Sequence, residues 1–387
     1  MQYRKFKADS IFDGKQFLYN KVVLVKEDNS IEAIVSKEEA GEGVLEYSGI
    51  LIPGLINCHC HLELSYLKNI VPPYTGLVNF LMAVVKNRTI IPNNHGELIS
   101  GAEKEMSENG IVGVADICNT ADAISAKKNS NIRWHNLIEV INFNDDHLEE
   151  RLMKYKKIAE EHKQNGLKNI LTPHAPYSVS KATHSAINIL TSGAIISIHN
   201  QETAAENELF QNGSGDFLNL YETFGNRVSP FEISGKTSLQ TWLPHFTNGQ
   251  TILSVHNTFI EEGDILFAKK HATQYGLNFT YCLCPNANLY IENALPPIDL
   301  LIKHECKIVL GTDSYSSNWQ LNIISEIETI KKYFPYISLH TILQWATSNA
   351  AEAMQWEDLG SFEKDKKPGI IHLKEKALGG FEVKRIL

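Results

Sequence analysis

Residues 54–65 read GLINCHCHLELS, a short apolar run carrying two histidines, two cysteines and a glutamate. His59 and His61 stand at i and i+2. On an extended chain their side chains share one face, about 7 Å apart. Cys58 and Cys60 alternate with them and turn to the opposite face. The stretch therefore offers paired imidazoles on one side of a strand. Whether they are ligands or core depends on what the rest of the chain brings to them.

Seven further apolar runs follow before residue 315: "GIVGVADICN", "IRWHNLIEVIN", "KNILTPHAPYS", "AIISIHNQE", "QTILSVHNT", "LNFTYCLCPNAN" and "KIVLGTDSY". Each is apolar at successive positions rather than alternating, which suits parallel strands covered on both faces. Helical stretches such as "DDHLEERLMKYKKIAEEHKQNG" and "EEGDILFAKKHATQYG" lie between most of them. Gly110, Gly166, Gly193 and Gly276 stand where a helix would end just before the next strand. Eight such repeats predict an α/β chain whose residues 51–349 form a (β/α)8 TIM barrel.

The flanks read differently. "VVLVK", "IEAIV" and a tail with a Pro368-Gly369 turn signal suggest short strands. Neither end can hold its own core, so residues 1–50 and 350–387 are expected to combine in one small β-sandwich domain. Two connections, 64–96 and 203–249, exceed the usual loop length and are places to expect function or disorder.

Composition narrows the class. The 387 residues are 43% hydrophobic and 21% charged, with a formal net charge of −9. A nucleic-acid backbone or an anionic membrane as partner would call for a basic face. The first residues, "MQYRKFKADSIFDGKQF", lack an apolar signal segment, and a cytoplasmic location is expected. Six cysteines in a chain of this length do not make a disulfide framework and are expected as buried thiols.

Polar residues on these apolar strands gather at one end. His59 and His61 are joined by His174 on the fourth strand, His199 on the fifth, His256 on the sixth and Asp313 on the eighth. All fall at C-terminal strand ends, where a barrel builds its active site. So many polar groups converging in apolar surroundings need a common partner, and a divalent cation supplies one. Three imidazoles and a carboxylate suit one zinc ion, with ferrous iron as the alternative. The expected ligands are His59, His61, His199 and Asp313. Glu202, three residues after His199, could exchange protons with a substrate nitrogen. His256 would orient the attacking water.

Taken together, "PGLINCHCH", "HAPYS", "HNQETAAENE", "LSVHNT", "CPNANL" and "LGTDSYSSN" resemble, in this order, the motifs of the amidohydrolase superfamily, and specifically its aminohydrolase branch of purine and triazine deaminases and chlorohydrolases. The closing "GSFEKDKKPGIIHL" is similar to that family's terminal β segment, so the resemblance spans essentially the whole chain. It implies a mononuclear site, since no lysine stands at the end of the fourth strand to bridge two metals. It also implies hydrolytic release of ammonia, with Asp313 taking the proton of the activated water, His256 steering it and Glu202 protonating the ring nitrogen. A homodimer is a further expectation from the family.

"HAPYS" is similar to the run in deaminases of S-adenosylhomocysteine and methylthioadenosine, and "HCHLELS" to that of aminofutalosine deaminases. The resemblance makes His174 and Glu63 candidate substrate contacts, with Glu206 at the same mouth. The small-molecule partner implied is an amino-purine nucleoside or a related heterocycle. The alternatives are cleavage of a ring C–N bond or of a chloro- or alkylamino-heterocycle, and a barrel that has become a scaffold. His61-x-Glu63 formally matches the cytidine-type zinc deaminases. Cys284-Pro285, however, stands in the wrong order, with no second cysteine at the required spacing.

Overall fold

The computed structural model describes residues 3–225, 233–377 and 379–387. Each apolar run forms a strand where its pattern places one: β1 Leu55–Cys60, β2 Ile111–Cys118, β3 Arg133–Val140, β4 Asn169–Pro173, β5 Ile195–Asn200, β6 Thr251–His256, β7 Asn278–Leu283 and β8 Ile308–Leu310. Neighbouring residues point into two different apolar clusters. Leu137, Leu253 and Val309 lie in one, and Ile138, Ile252 and Leu310 in the other. Burial on both faces explains why these strands read as continuous apolar runs.

The ladder pairs the eight strands in sequence order as two parallel quartets, β1 to β4 and β5 to β8. The expected single closed ring is not continuous in the ladder, and side chains interrupt it at both joins. Between β4 and β5, Thr172 Oγ1 accepts from Ser197 N at 2.7 Å and donates to Ser197 O at 2.5 Å. Between β1 and β8, the backbone N–H groups of Thr312 and Asp313 both donate to His59 O at 3.0 Å. Asn57 Nδ2 adds a bond to Thr312 Oγ1 at 2.8 Å. Gly311 permits that second approach, because a Cβ there would lie 2.7 Å from His59 Cβ and 3.0 Å from Cys282 Sγ.

The anticipated helix-ending glycines Gly110, Gly166, Gly193 and Gly276 all hold positive φ. Two further sheets lie outside these quartets, the first from the N-terminal end alone and the second from both chain ends. One orders strands 31–36, 21–25, 4–7 and 44–46; the other orders 381–385, 371–375, 50–52, 10–12 and 17–18. The long connections differ from the loops expected. Leu77–Asn87 is helical within the first, and Ala204–Asn212, Phe217–Thr223 and Ser238–Trp242 within the second. The first carries apolar residues at 77, 80, 81 and 84, the spacing of one helix face. Residues 226–232 of the second connection lie outside the described residues. Cys58, Cys60, Cys118, Cys282 and Cys284 are buried free thiols, while Cys306 is partly exposed. Among the described residues no helix is long and apolar enough to cross a membrane.

Candidate active site and metal centre

The strand ends bring His59, His61, His199 and Asp313 to one place. One potential ligand atom from each lies within 4.8 Å of all the others, and all four residues are buried. His59 Nε2 and His61 Nε2 are 3.2 Å apart. Asp313 Oδ1 lies 3.4 Å from the first and 3.3 Å from the second. The side chains leave the strand in parallel but their rings tip together, so the reacting atoms sit far closer than the strand spacing suggests.

Two facing imidazole nitrogens and a carboxylate oxygen cannot all be satisfied by the one ring proton that each neutral histidine carries. A tetrahedral cation with bonds of about 2.0–2.1 Å would separate its donors by roughly 3.3 Å, close to the observed spacings. The donor set therefore fits a divalent ion. Burial drives His61 well below its ordinary pKa and His199 down to about 4, keeping both rings neutral, as metal ligands must be. Burial opposes a charge on Asp313, yet the hydrogen bond from His59 and the nearby His61 hold its carboxyl well below the ordinary range. His199 Nδ1 donates to His174 O at 2.8 Å, leaving Nε2 with its lone pair for the cluster. Asp313 is held on its other oxygen by Ser317 Oγ.

A second group, Glu202, His256 and Asp313, adjoins the first. His256 Nε2 lies 3.5 Å from Glu202 Oε1, and Asn288 Nδ2 lies 3.1 Å from His256 Nδ1. Burial, reinforced by the negative charges of Asp313 and Glu206, pushes the Glu202 carboxyl well above the usual range. A carboxyl raised by burial in this way is suited to act as a proton donor. Backbone geometry is unusual here. Gln201, His256, Asn257 and Asp313 hold φ of 47°, 71°, 55° and 59°, a region that costs a non-glycine residue free energy and clusters at functional sites.

These residues open on a cavity of about 290 Å3. His61, His174, His199, Glu202, His256 and Asp313 form its polar end, and Leu77, Phe80, Val84, Tyr177, Leu220 and Phe224 much of its apolar wall. His174 lies where a substrate contact was expected; burial, with help from the Arg88 charge, takes it down to about 3. Glu63 and Glu206 do not line the cavity. The oxygens of Glu63 accept from Asn119 N, Thr120 N and Thr120 Oγ1, with Arg88 Nη2 at 3.7 Å. Glu206 is likewise taken up by protein donors. Both carboxylates, for which substrate contacts were expected, accept from protein donors, among them backbone N–H groups just beyond the strand ends.

The sequence reading passed over Glu139. It is buried near the end of β3 and lines the cavity, with Oε2 held by Asn119 Nδ2 at 2.9 Å and Oε1 without a hydrogen-bond partner. The available signal was a lone carboxylate between Ile138 and Val140 in "NLIEVIN". Arg88, which follows the Leu77–Asn87 helix, also lines the cavity and had no comparable signal.

Comparison with known proteins agrees with this geometry. The chain is 24% identical over 306 residues to an aminodeoxyfutalosine deaminase of a Nitratiruptor species, covering 78% of this chain and 72% of that one. It is 26% identical over 369 residues to a 5'-deoxyadenosine deaminase of Methanococcus vannielii, covering 89% and 80%. The crystal structure of Helicobacter pylori aminofutalosine deaminase in complex with methylthio-coformycin shares the fold with a TM-score of 0.83. Its identity is 22%, over 96% of this chain and 93% of that one. The sequence model described as the amidohydrolase family matches residues 50–383, and the chain belongs to that family.

Proposed function

We propose that the protein is a metal-dependent hydrolytic deaminase that releases ammonia from an amino-purine nucleoside of the aminofutalosine, S-adenosylhomocysteine or methylthioadenosine type. The observation that carries this reading is a buried Glu202 whose Oε1 lies 3.5 Å from His256 Nε2 and which groups with Asp313, at the polar end of a cavity that is otherwise apolar. Relatives acting on such nucleosides support the substrate class. Zinc is the ion we assign to His59, His61, His199 and Asp313, and the two strand quartets are read as one (β/α)8 barrel with a small β domain from both chain ends.

A divalent ion held there would supply a Lewis acid that brings the pKa of water close to neutrality. The chain's own residues do the rest. The apolar wall packs against the substrate, its 5' group included, and excludes bulk water. Asp313 receives the proton of the attacking water, and His256 directs that water at the amine-bearing carbon. Glu202 hands its proton to the adjacent ring nitrogen, so that the ring can accept electrons as attack proceeds. Asp313 then passes its proton to the amino group and the adduct's hydroxyl proton returns to Glu202, so that the C–N bond breaks, the carbonyl forms and ammonia leaves. His174 and Glu139 face the remainder of the substrate.

The test is ammonia release from a panel containing aminofutalosine, S-adenosylhomocysteine, methylthioadenosine, 5'-deoxyadenosine and adenosine. Glu202→Gln serves as control and is expected to lower kcat by about 10²- to 10⁴-fold. Full turnover by that variant removes Glu202 from the proton-donor role, and no ammonia from any member overturns the deaminase reading.

A further inference from the structure

Glu206 is fully buried and sits in the first turn of the Ala204–Asn212 helix, four residues beyond Glu202. An acidic residue there ordinarily reaches back to cap its own helix. This one reaches further. Its Oε1 accepts from Gln201 N at 2.9 Å, and its Oε2 from Glu202 N at 3.3 Å. Oε1 takes a third bond from Ser238 Oγ, on the Ser238–Trp242 helix. One carboxylate thus collects the backbone N–H groups of two consecutive residues between the end of β5 and its following helix. Gln201, in the left-handed region at φ 47°, makes the turn.

That turn decides where Glu202 points. It stands three residues after His199, an odd step that on a straight continuation of β5 would turn its side chain to the opposite face from His199. The surroundings of Gln201 reinforce the bend. Its Nε2 donates to Asp264 Oδ2 at 2.7 Å and to Asn207 Oδ1 at 3.1 Å, while Asn200 Nδ2 donates to Gln201 Oε1 and Asn257 Oδ1, both at 3.1 Å. The polar pair Asn200 and Gln201 in "HNQE" belongs to this buried network. Asn207 Oδ1 also accepts from Ser238 N at 3.0 Å, fastening the long second connection to the strand ends.

We propose that Glu206 is a positioning residue for proton transfer, gripping the N–H groups of the two peptides that flank Gln201 so that the Glu202 carboxyl meets the substrate's ring nitrogen. It touches no substrate and acts only through Glu202. The proposal rests on the deaminase reading above. Glutamine at 206 could accept one backbone N–H through its carbonyl but would present an N–H to another donor, releasing half of the grip. Displacement of a catalytic group by about 1 Å can cost 10²-fold in rate.

The experiment is a double-mutant cycle of Glu206→Gln and Glu202→Gln, with kcat, KM, metal content and unfolding temperature measured on the best substrate of the panel. Glu206→Gln is expected to lower kcat about 10- to 100-fold with little change in KM and with metal retained, and to add almost nothing once Glu202 is already Gln. The same loss in the Glu202→Gln background, unchanged turnover, or a KM effect alone would overturn the proposal. Glu206→Asp, which keeps the charge but shortens the reach, is the second variant and should show the same kcat-selective loss. If neither variant folds or holds metal, Glu206 is a structural residue and the proposal fails. The deaminase reading fails separately, if the wild-type protein releases no ammonia from any member of the panel.

Discussion

The two ends of the cavity are built from different kinds of chain. At the polar end every chemical group stands at the tip of a strand or within a few residues of one, held by the ladder and by buried partners such as Ser317 and Asn288. The apolar wall comes instead from helices in the connections: Leu77, Phe80 and Val84 from one, Leu220 and Phe224 from or beside the other. A strand tip cannot move without breaking ladder bonds, whereas a helix laid over the mouth can change its side chains and leave the ladder intact. On the proposed reading, the polar end fixes the reaction type and the wall selects among substrates.

The comparison breaks most sharply at the ligands. Asp313→Asn or His199→Ala is expected to lose bound metal and at least ~10³-fold in kcat, checked by metal analysis beside ammonia release. Chelation of the wild-type protein should give the same loss, reversed by adding zinc. If activity survives without metal, the polar end is not the reaction centre.

The wall should answer differently. Phe80→Ala or Leu220→Ala removes apolar surface worth about 1.5–3 kcal/mol when fully buried, or roughly 10- to 100-fold in kcat/KM. The loss should fall mainly on KM and differ between nucleosides carrying different 5' groups. Equal losses on every substrate, or a loss confined to kcat, would erase the division of labour between wall and strand ends.

A smaller effect sharpens the account of what steadies the polar end. Glu326 is buried, accepts from Asn286 N at 2.8 Å and Asn318 Nδ2 at 2.9 Å, and so clamps the segments that follow β7 and β8. Burial raises its carboxyl to about 8. A raised carboxyl favours the folded state below its ordinary value near 4.5, and that contribution is lost as pH climbs towards about 8. Chemical denaturation across this window should show stability falling with pH, and Glu326→Gln should flatten the slope by up to about 1.4 kcal/mol per pH unit. An unchanged slope would mean that Glu326 is not the group being charged.

Legibility in the sequence followed the same division. Strands buried on both faces announce themselves as apolar runs, and a histidine or aspartate at the end of such a run stands out, as His199 and Asp313 did. Glu139 satisfied the same rule but was alone on its strand and lacked a motif. Arg88 could not be found that way, because it follows a helix inside a connection whose path no local pattern encodes. Glu63 and Glu206 were recognised as polar residues near the mouth, yet their direction depended on which backbone N–H groups lay nearest. The left-handed conformations of His256 and Asp313 were also hidden, since they arise from packing around the site and not from residue type.

The two joins between strand quartets have a dynamic consequence. Elsewhere adjacent strands pair through a backbone ladder, with register shifts in the β1–β2 pair, but at Thr172–Ser197 and Asn57–Thr312 side chains stand in for part of it. If the sheet breathes along those lines, deuterium should enter at Ser197 and Thr312 before it reaches the interior amides of β2 or β6. The second line runs through the carbonyl of His59, so slow opening there would also set how readily the bound ion escapes.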